Sequence, residues 1–298
     1  MTLLAPDAST RMSLAAAKGR SLWDDAGRRL LRNKAAVASM VILGLLVLAA
    51  VVGPFLLPFA YDQVDKEDVW MAPLSAGHLL GSDALGRDLL VRLLVGLRVS
   101  LAIGFVATLV SLVIGVAWGA VAGYVGGKVD EVMMRFVDVL YSLPFIFFVI
   151  LLTVTFGSNI VLIFVAIGAV EWLTMSRIVR GQTLALKNKE FIEAARAAGL
   201  GRAAIIARHI VPNLLGPVVV YVTLTIPAVI LAESFLSFLG LGVQPPMASL
   251  GALIAGGASD MELAPWLLVF PSLVMVLTLM CFNFIGDGLR DAIDPKDR

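Results

Sequence analysis

The chain has 298 residues, of which 59% are hydrophobic and 15% charged, and its formal net charge is +1; its mean hydropathy is +0.94. Ordinary soluble domains carry about 25% charged residues, so a water-soluble globular enzyme is excluded and lipid must solvate much of the chain. The near-neutral charge offers no general attraction to nucleic acid, and the single cysteine, Cys281, has no partner for an internal disulfide or a thiolate metal site.

A spanning helix needs roughly 20 mostly apolar residues. Taken in chain order, a basic and polar segment, 1–34, comes first and has no cleavage-site pattern, so a cleaved signal peptide is not expected. Six apolar stretches follow, at 35–59, 99–124, 136–156, 160–179, 217–236 and 266–285, and they predict an all-α polytopic membrane protein with six transmembrane helices. A tail, 286–298, ends the chain with mixed charges at Asp287, Arg290, Asp291, Asp294 and Arg298.

Placing both termini in the cytoplasm leaves only Lys66, Arg87, Arg92 and Arg98 of the 23 basic residues outside. The positive-inside rule therefore predicts that orientation. The external segment 60–98 opens with Asp62, Asp65, Glu67 and Asp68, turns at Gly81 and Gly86, and closes on leucines alternating with Arg92 and Arg98. That spacing predicts an amphipathic helix lying in the interface before the second span. Within the second span Gly115, Gly119 and Gly123 share one helix face, where small residues admit a close neighbour; packing within this subunit is the simpler reading.

The cytoplasmic segment 180–213 is too charged to cross lipid. From Lys189 it reads Lys-Glu-Phe-Ile-Glu-Ala-Ala-Arg-Ala-Ala-Gly-Leu-Gly-Arg, with Glu190, Glu193 and Arg196 on one side and Phe191, Ile192, Ala194, Ala195 and Ala198 supplying an apolar, small-residue side. Gly199 can end this helix in a left-handed conformation. A second helical piece, 202–210, precedes Pro212, which marks a turn back to the membrane. The helix either rests on lipid or docks into a protein cleft. Its small side favours docking, since lipid-lying helices use Leu, Phe and Trp.

Glu193-Ala194-Ala195, Gly199 and Pro212 at these spacings resemble the EAA signature of permease subunits of ABC importers, with mild departures at His209 and Val211. Gly81-Ser-Asp-Ala-Leu-Gly-Arg-Asp88, Gly123-Tyr-Val-Gly-Gly-Lys-Val-Asp130, Arg177-Ile-Val-Arg-Gly-Gln182 and Ser237-Phe-Leu-Gly-Leu-Gly242 are similar to the dipeptide and oligopeptide branch. The lead from Gly19 and the ending from Asn283 resemble its C-type subunit. The resemblance implies a type I importer permease (MetI-like) fold in the bacterial inner membrane, and Glu193, Ala194, Ala195, Gly199 and Pro212 as the ATPase-coupling residues. It also implies a B-type permease partner, two ATPase subunits that hold ATP and Mg, and an extracytoplasmic peptide-binding protein. Dipeptides, nickel chelates and glutathione are alternative cargoes.

No cofactor or metal site is expected in this chain. Gly126-Gly127-Lys128 lacks the remaining residues of a phosphate loop, since Ala122 and Val129 stand where Gly and Ser or Thr are needed. The chain is thus not expected to be an enzyme by itself. Asp138, Glu171 and Glu233 lie in or beside the spans, where a charge costs at least about 2.5 kcal/mol. They are candidates for the pathway or for structural pairing in the bundle, and Glu171 is the one residue that would serve a secondary transporter.

Overall fold

The computed structural model describes residues 22–75, 77–157 and 160–293. The lead before Leu22, Asn159 and the last five residues, including Asp294 and Arg298, lie outside the described residues. Among the described residues the regular structure is helical, with two isolated bridges, Ser75 with His78 and Ser82 with Asp88.

Helix α1 (Leu22–Arg32) meets α2 (Lys34–Leu56) at Asn33, whose side chain accepts from the Ala35 and Ala36 amides and so satisfies donors that the helix start leaves open. Val41, Leu45, Leu48 and Phe55 of α2 are exposed, which suits a helix facing lipid. Helix α3 (Leu89–Val125) is capped by Asp88, which accepts from the Val91 amide at 2.8 Å. Its 37 residues extend about 55 Å at the standard rise. The expected interfacial helix before residue 99 is instead the first turns of α3. The helix runs unbroken through Gly96 at that point, and Leu89, Val91, Leu93, Val95 and Leu97 are buried among protein rather than laid on lipid.

Gly126, at φ 69°, adopts a left-handed conformation and turns the chain into α4 (Gly127–Ser142). Helix α5 (Phe145–Phe156) follows at an angle of 79° to α4. The expected straight span 136–156 is therefore broken. Pro144 forces the preceding Leu143 into an extended conformation and ends the helix there. Helix α6 (Ile160–Leu186), short helix α7 (Glu190–Ala197), α8 (Arg202–Ile205), a π turn (Ile206–Ile210), α9 (Val211–Phe238), α10 (Leu250–Ser259) and α11 (Trp266–Ile293) complete the order. Helix α11 continues through the first eight residues of the expected tail.

Among the described residues four helical stretches are long and apolar enough to cross a membrane, or five if the bent pair α4 and α5 is one span. They are α2, α3, the continuous run Arg202–Phe238, and α11. The core centres on α3. A Cβ on Gly119 would stand 2.4 Å from the Ser176 carbonyl oxygen and 2.9 Å from the Arg180 nitrogen, and one on Gly123 would stand 2.9 Å from the Arg180 carbonyl oxygen. Gly115 similarly lies against Met175. The glycine stripe is thus the seat of α6 within the same chain.

Candidate functional site

At the far end of α3, Ala120 and Tyr124 join Met175 and Val179 of α6 and Ile205, Ile210 and Leu214 of the run from α8 to α9 in one apolar cluster. Helix α7 docks on that cluster through Ile192 and Ala195, both buried. Arg196 fastens it further. Its guanidinium lies 5.3 Å over the Tyr124 ring, Nε donates to the Tyr124 hydroxyl at 3.3 Å, and a terminal nitrogen donates to the Lys187 carbonyl at 3.4 Å.

The remaining positions, Glu190, Phe191, Glu193, Ala194, Ala197 and Ala198, are exposed. The small-residue side of the helix is therefore divided. Ala195 packs inward with Ile192, while Ala194 and Ala198 share the outward surface with Glu193. Gly199 follows at φ 81°, where a side chain would meet nothing within 4 Å but would strain the backbone. The outward surface carries the carboxylates of Glu190 and Glu193 beside Phe191 and small alanines.

Pro212 does not turn the chain as expected. It occupies the first turn of α9, within one continuous run of helix from Arg202 to Phe238. The π turn just before it loosens the ladder where proline has no N–H to donate, and the Asn213 side chain donates to the His209 carbonyl at 2.6 Å. Ile192 and Ala195 of α7 thus share a core with Leu214 and Val218 of α9, while Glu193, Ala194 and Pro212 stay exposed.

The acidic candidates divide sharply. Asp138 accepts from Arg177 at 2.8 Å, and the Arg177 guanidinium also lies 4.2 Å over the Tyr141 ring. Glu233 is wholly buried. It accepts from Ser237 at 2.7 Å, Ser249 at 2.6 Å and Ser100 at 3.3 Å, and so ties α9 to the start of α10 and to α3. Ser100 in turn accepts from the Leu250 amide at 3.0 Å. Glu171 is partly buried on α6 and joins neither network. Sequence reasoning missed the serines, although Ser237 stands four residues from Glu233 on the same helix face. Nor did the motifs that contain Asp130 and Arg180 show that the two pair, Arg180 gripping Asp130 through two nitrogens at 2.5 and 2.7 Å.

Among the described residues no group of three or more His, Cys, Asp or Glu could hold a metal ion.

The profile of the family described as binding-protein-dependent transport system inner membrane component matches residues 115–298. The chain belongs to that family. A second profile, the N-terminal TM domain of oligopeptide transport permease C, matches residues 21–73. The oligopeptide transport system permease OppC of Escherichia coli K12 is 60% identical over 282 residues, which cover 94% of this chain and 93% of that protein. The Bacillus subtilis OppC is 42% identical, covering 94% and 92%. The dipeptide transport system permease DppC of the same organism is 46% identical, covering 93% and 87%. Among solved structures, a chain of the MetNI methionine ABC transporter in an inward-facing conformation superposes with a TM-score of 0.55 at 20% identity, over 68% of this chain and 96% of that one. That likeness establishes the MetI-like all-helical fold. The chain is accordingly the permease subunit of an ABC importer, distinct from the ATPase that powers it.

Proposed function

We propose that this permease carries oligopeptides across the bacterial inner membrane, pairing with a B-type permease to enclose the pathway. Two ATPase subunits, which bind ATP and Mg, and an extracytoplasmic peptide-binding protein complete the importer. The relatives named above as oligopeptide permeases, at 60% and 42% identity over nearly the whole chain, support that cargo. Six crossings follow if the bent pair α4 and α5 is one span and α6, at 27 residues, is another. Both termini then lie in the cytoplasm, as the placement of basic residues favours.

The energy enters at α7. ATP binding draws the ATPases together, and the exposed face around Glu193, Ala194 and Gly199 moves with them. Because Ile192 and Ala195 lock α7 into the core shared by α3, α6 and α9, that displacement reaches the long helices as a rigid push. The observation that carries this reading is the divided helix: one buried face that transmits and one exposed face that receives.

Uptake of a labelled tripeptide into cells carrying Gly199→Val or Glu193→Lys tests it. Both variants should reach the membrane and lose uptake, and wild-type uptake should stop on ATP depletion yet survive collapse of the proton gradient. Normal uptake by both variants would contradict the coupling role, and loss of uptake with the proton gradient would favour a secondary transporter.

A further inference from the structure

At the opposite end of α3 from α7, a cavity of about 310 Å³ opens between the 57–88 segment, the first turn of α3, the end of α9, α10 and the start of α11. Leu89, Val243 and Leu253 give it apolar walls, and Asp83, Arg87 and Arg92 give it one charged wall. The Asp83 carboxylate is fully used. One oxygen accepts from the Leu85 and Arg87 amides at 2.9 and 3.0 Å, and the other accepts from Arg87 Nε at 2.7 Å.

Arg92 is less well served. Its side chain is 7% exposed, Nε lies 3.4 Å from the same Asp83 oxygen, and no hydrogen-bond partner meets that buried Nε–H. Its one hydrogen-bond acceptor among the described residues is the Tyr61 carbonyl, at 3.0 Å. Two guanidiniums thus share a single carboxylate, and Arg92 presents to the cavity a charge that Asp83, already bonded to Arg87, offsets only in part. Asp260, just after α10, also lines the cavity but is partly exposed, so solvent screens it.

We infer that this cavity binds a carboxylate, anchored on the Arg92 guanidinium, with the group behind it held against Leu89, Val243 and Leu253. A carboxylate matches the planar fork of a guanidinium and brings the single negative charge that Arg92 lacks. A dianion such as phosphate would be repelled more strongly than a carboxylate by Asp83. The carboxylate can belong to a small organic acid or to the C-terminus of a peptide, and the site does not depend on which cargo the transporter moves.

The test uses the assembled transporter in lipid nanodiscs without its binding protein, titrated calorimetrically with N-acetylglycine, N-acetylglycinamide, inorganic phosphate, and trialanine as free acid and as amide. N-acetylglycine should bind at least about tenfold more tightly than its amide and than phosphate. Gly256→Phe adds a ring at the cavity wall from α10, where a Cβ meets nothing within 4 Å. It should weaken N-acetylglycine binding by at least about tenfold, as should Arg92→Gln if that variant folds. Free-acid trialanine binding as tightly as N-acetylglycine identifies a peptide terminus as the occupant, and weaker binding identifies a small acid; either supports the site. Equal binding of acid and amide, tighter binding of phosphate, or unchanged binding by Gly256→Phe would overturn it.

Discussion

Arg180 holds Asp130 through two hydrogen bonds, Nε to one carboxylate oxygen at 2.5 Å and a terminal nitrogen to the other at 2.7 Å, and so joins α6 to the first turn of α4. Asp130 is buried while Arg180 is about one-third exposed. Solvent screening therefore reduces the strength of a bidentate pair. Asp130→Asn should lower stability by about 1 kcal/mol, measured as thermal unfolding in detergent. The charge-reversed double variant Asp130→Arg with Arg180→Asp should recover part of it, and a double-mutant coupling of zero would show that the pair does not join the helices.

Gly119 and Gly181 give a matched comparison. A Cβ at Gly119 would meet the backbone of α6 at 2.4 Å, whereas one at Gly181 meets nothing within 4 Å. Gly119→Ala should destabilise by about 2 kcal/mol because backbone cannot yield as a side chain can. Gly181→Ala should be neutral or slightly stabilising through helix propensity. Equal effects on unfolding temperature would mean that α3 and α6 do not cross this closely.

His78 is buried between two carboxylates, with Nδ1 at 2.8 Å from Asp88 and Nε2 at 3.3 Å from Asp68, and its ring is stacked on Phe59. Burial alone would lower its pKa, but the hydrogen bonds to Asp88 and Asp68 prevail and raise it above the ordinary 6.5. A raised folded-state value means that the stabilisation is complete below the unfolded value of 6.5 and is lost as pH rises through the folded value. The stability difference between wild type and His78→Gln, followed by unfolding from about pH 5 to about pH 9, should thus be largest at the acid end. A difference that grows toward alkaline pH would refute a doubly bridged imidazolium.

Glu233 offers acceptors to three serine hydroxyls in a place closed to solvent. Glu233→Ala orphans those hydroxyls and should cost about 3 kcal/mol, while Glu233→Gln, which keeps one acceptor, should cost clearly less. Transport lost in Glu233→Gln with unfolding temperature unchanged would instead place this residue on the pathway.

These sites show how far the sequence could be read. Helix α7 was legible because capping, charge and small residues coincide within 189–199, and the glycine stripe was legible because its period is helical. The 79° bend was not, since the apolar run across Leu143 and Pro144 looks continuous when only hydropathy is counted. The residues after Asp88 imitate an interfacial helix for a related reason. Periodicity shows where Arg92 falls on the helix but not that Tyr61 and Asp83, far off in sequence or across a turn, would enclose it. Helix α10 escaped notice because ten residues with three glycines are too short to span and too glycine-rich to favour a helix without tertiary support. The division of the small-residue side of α7 was hidden for a subtler reason: alanine suits either a core or an outer surface, and only the burial of Ile192 and Ala195 separates the two.

The central claim is that the outward surface of α7 receives the ATPase. A photoreactive amino acid placed at Ala194, at Ala198, or at Lys128, all three exposed, can be activated in the assembled, ATP-hydrolysing transporter and the products identified by mass spectrometry. The coupling account predicts crosslinks to the ATPase subunits from positions 194 and 198, and few from Lys128 on the first turn of α4. Crosslinks that are absent from both positions 194 and 198, or as abundant from Lys128, would contradict it.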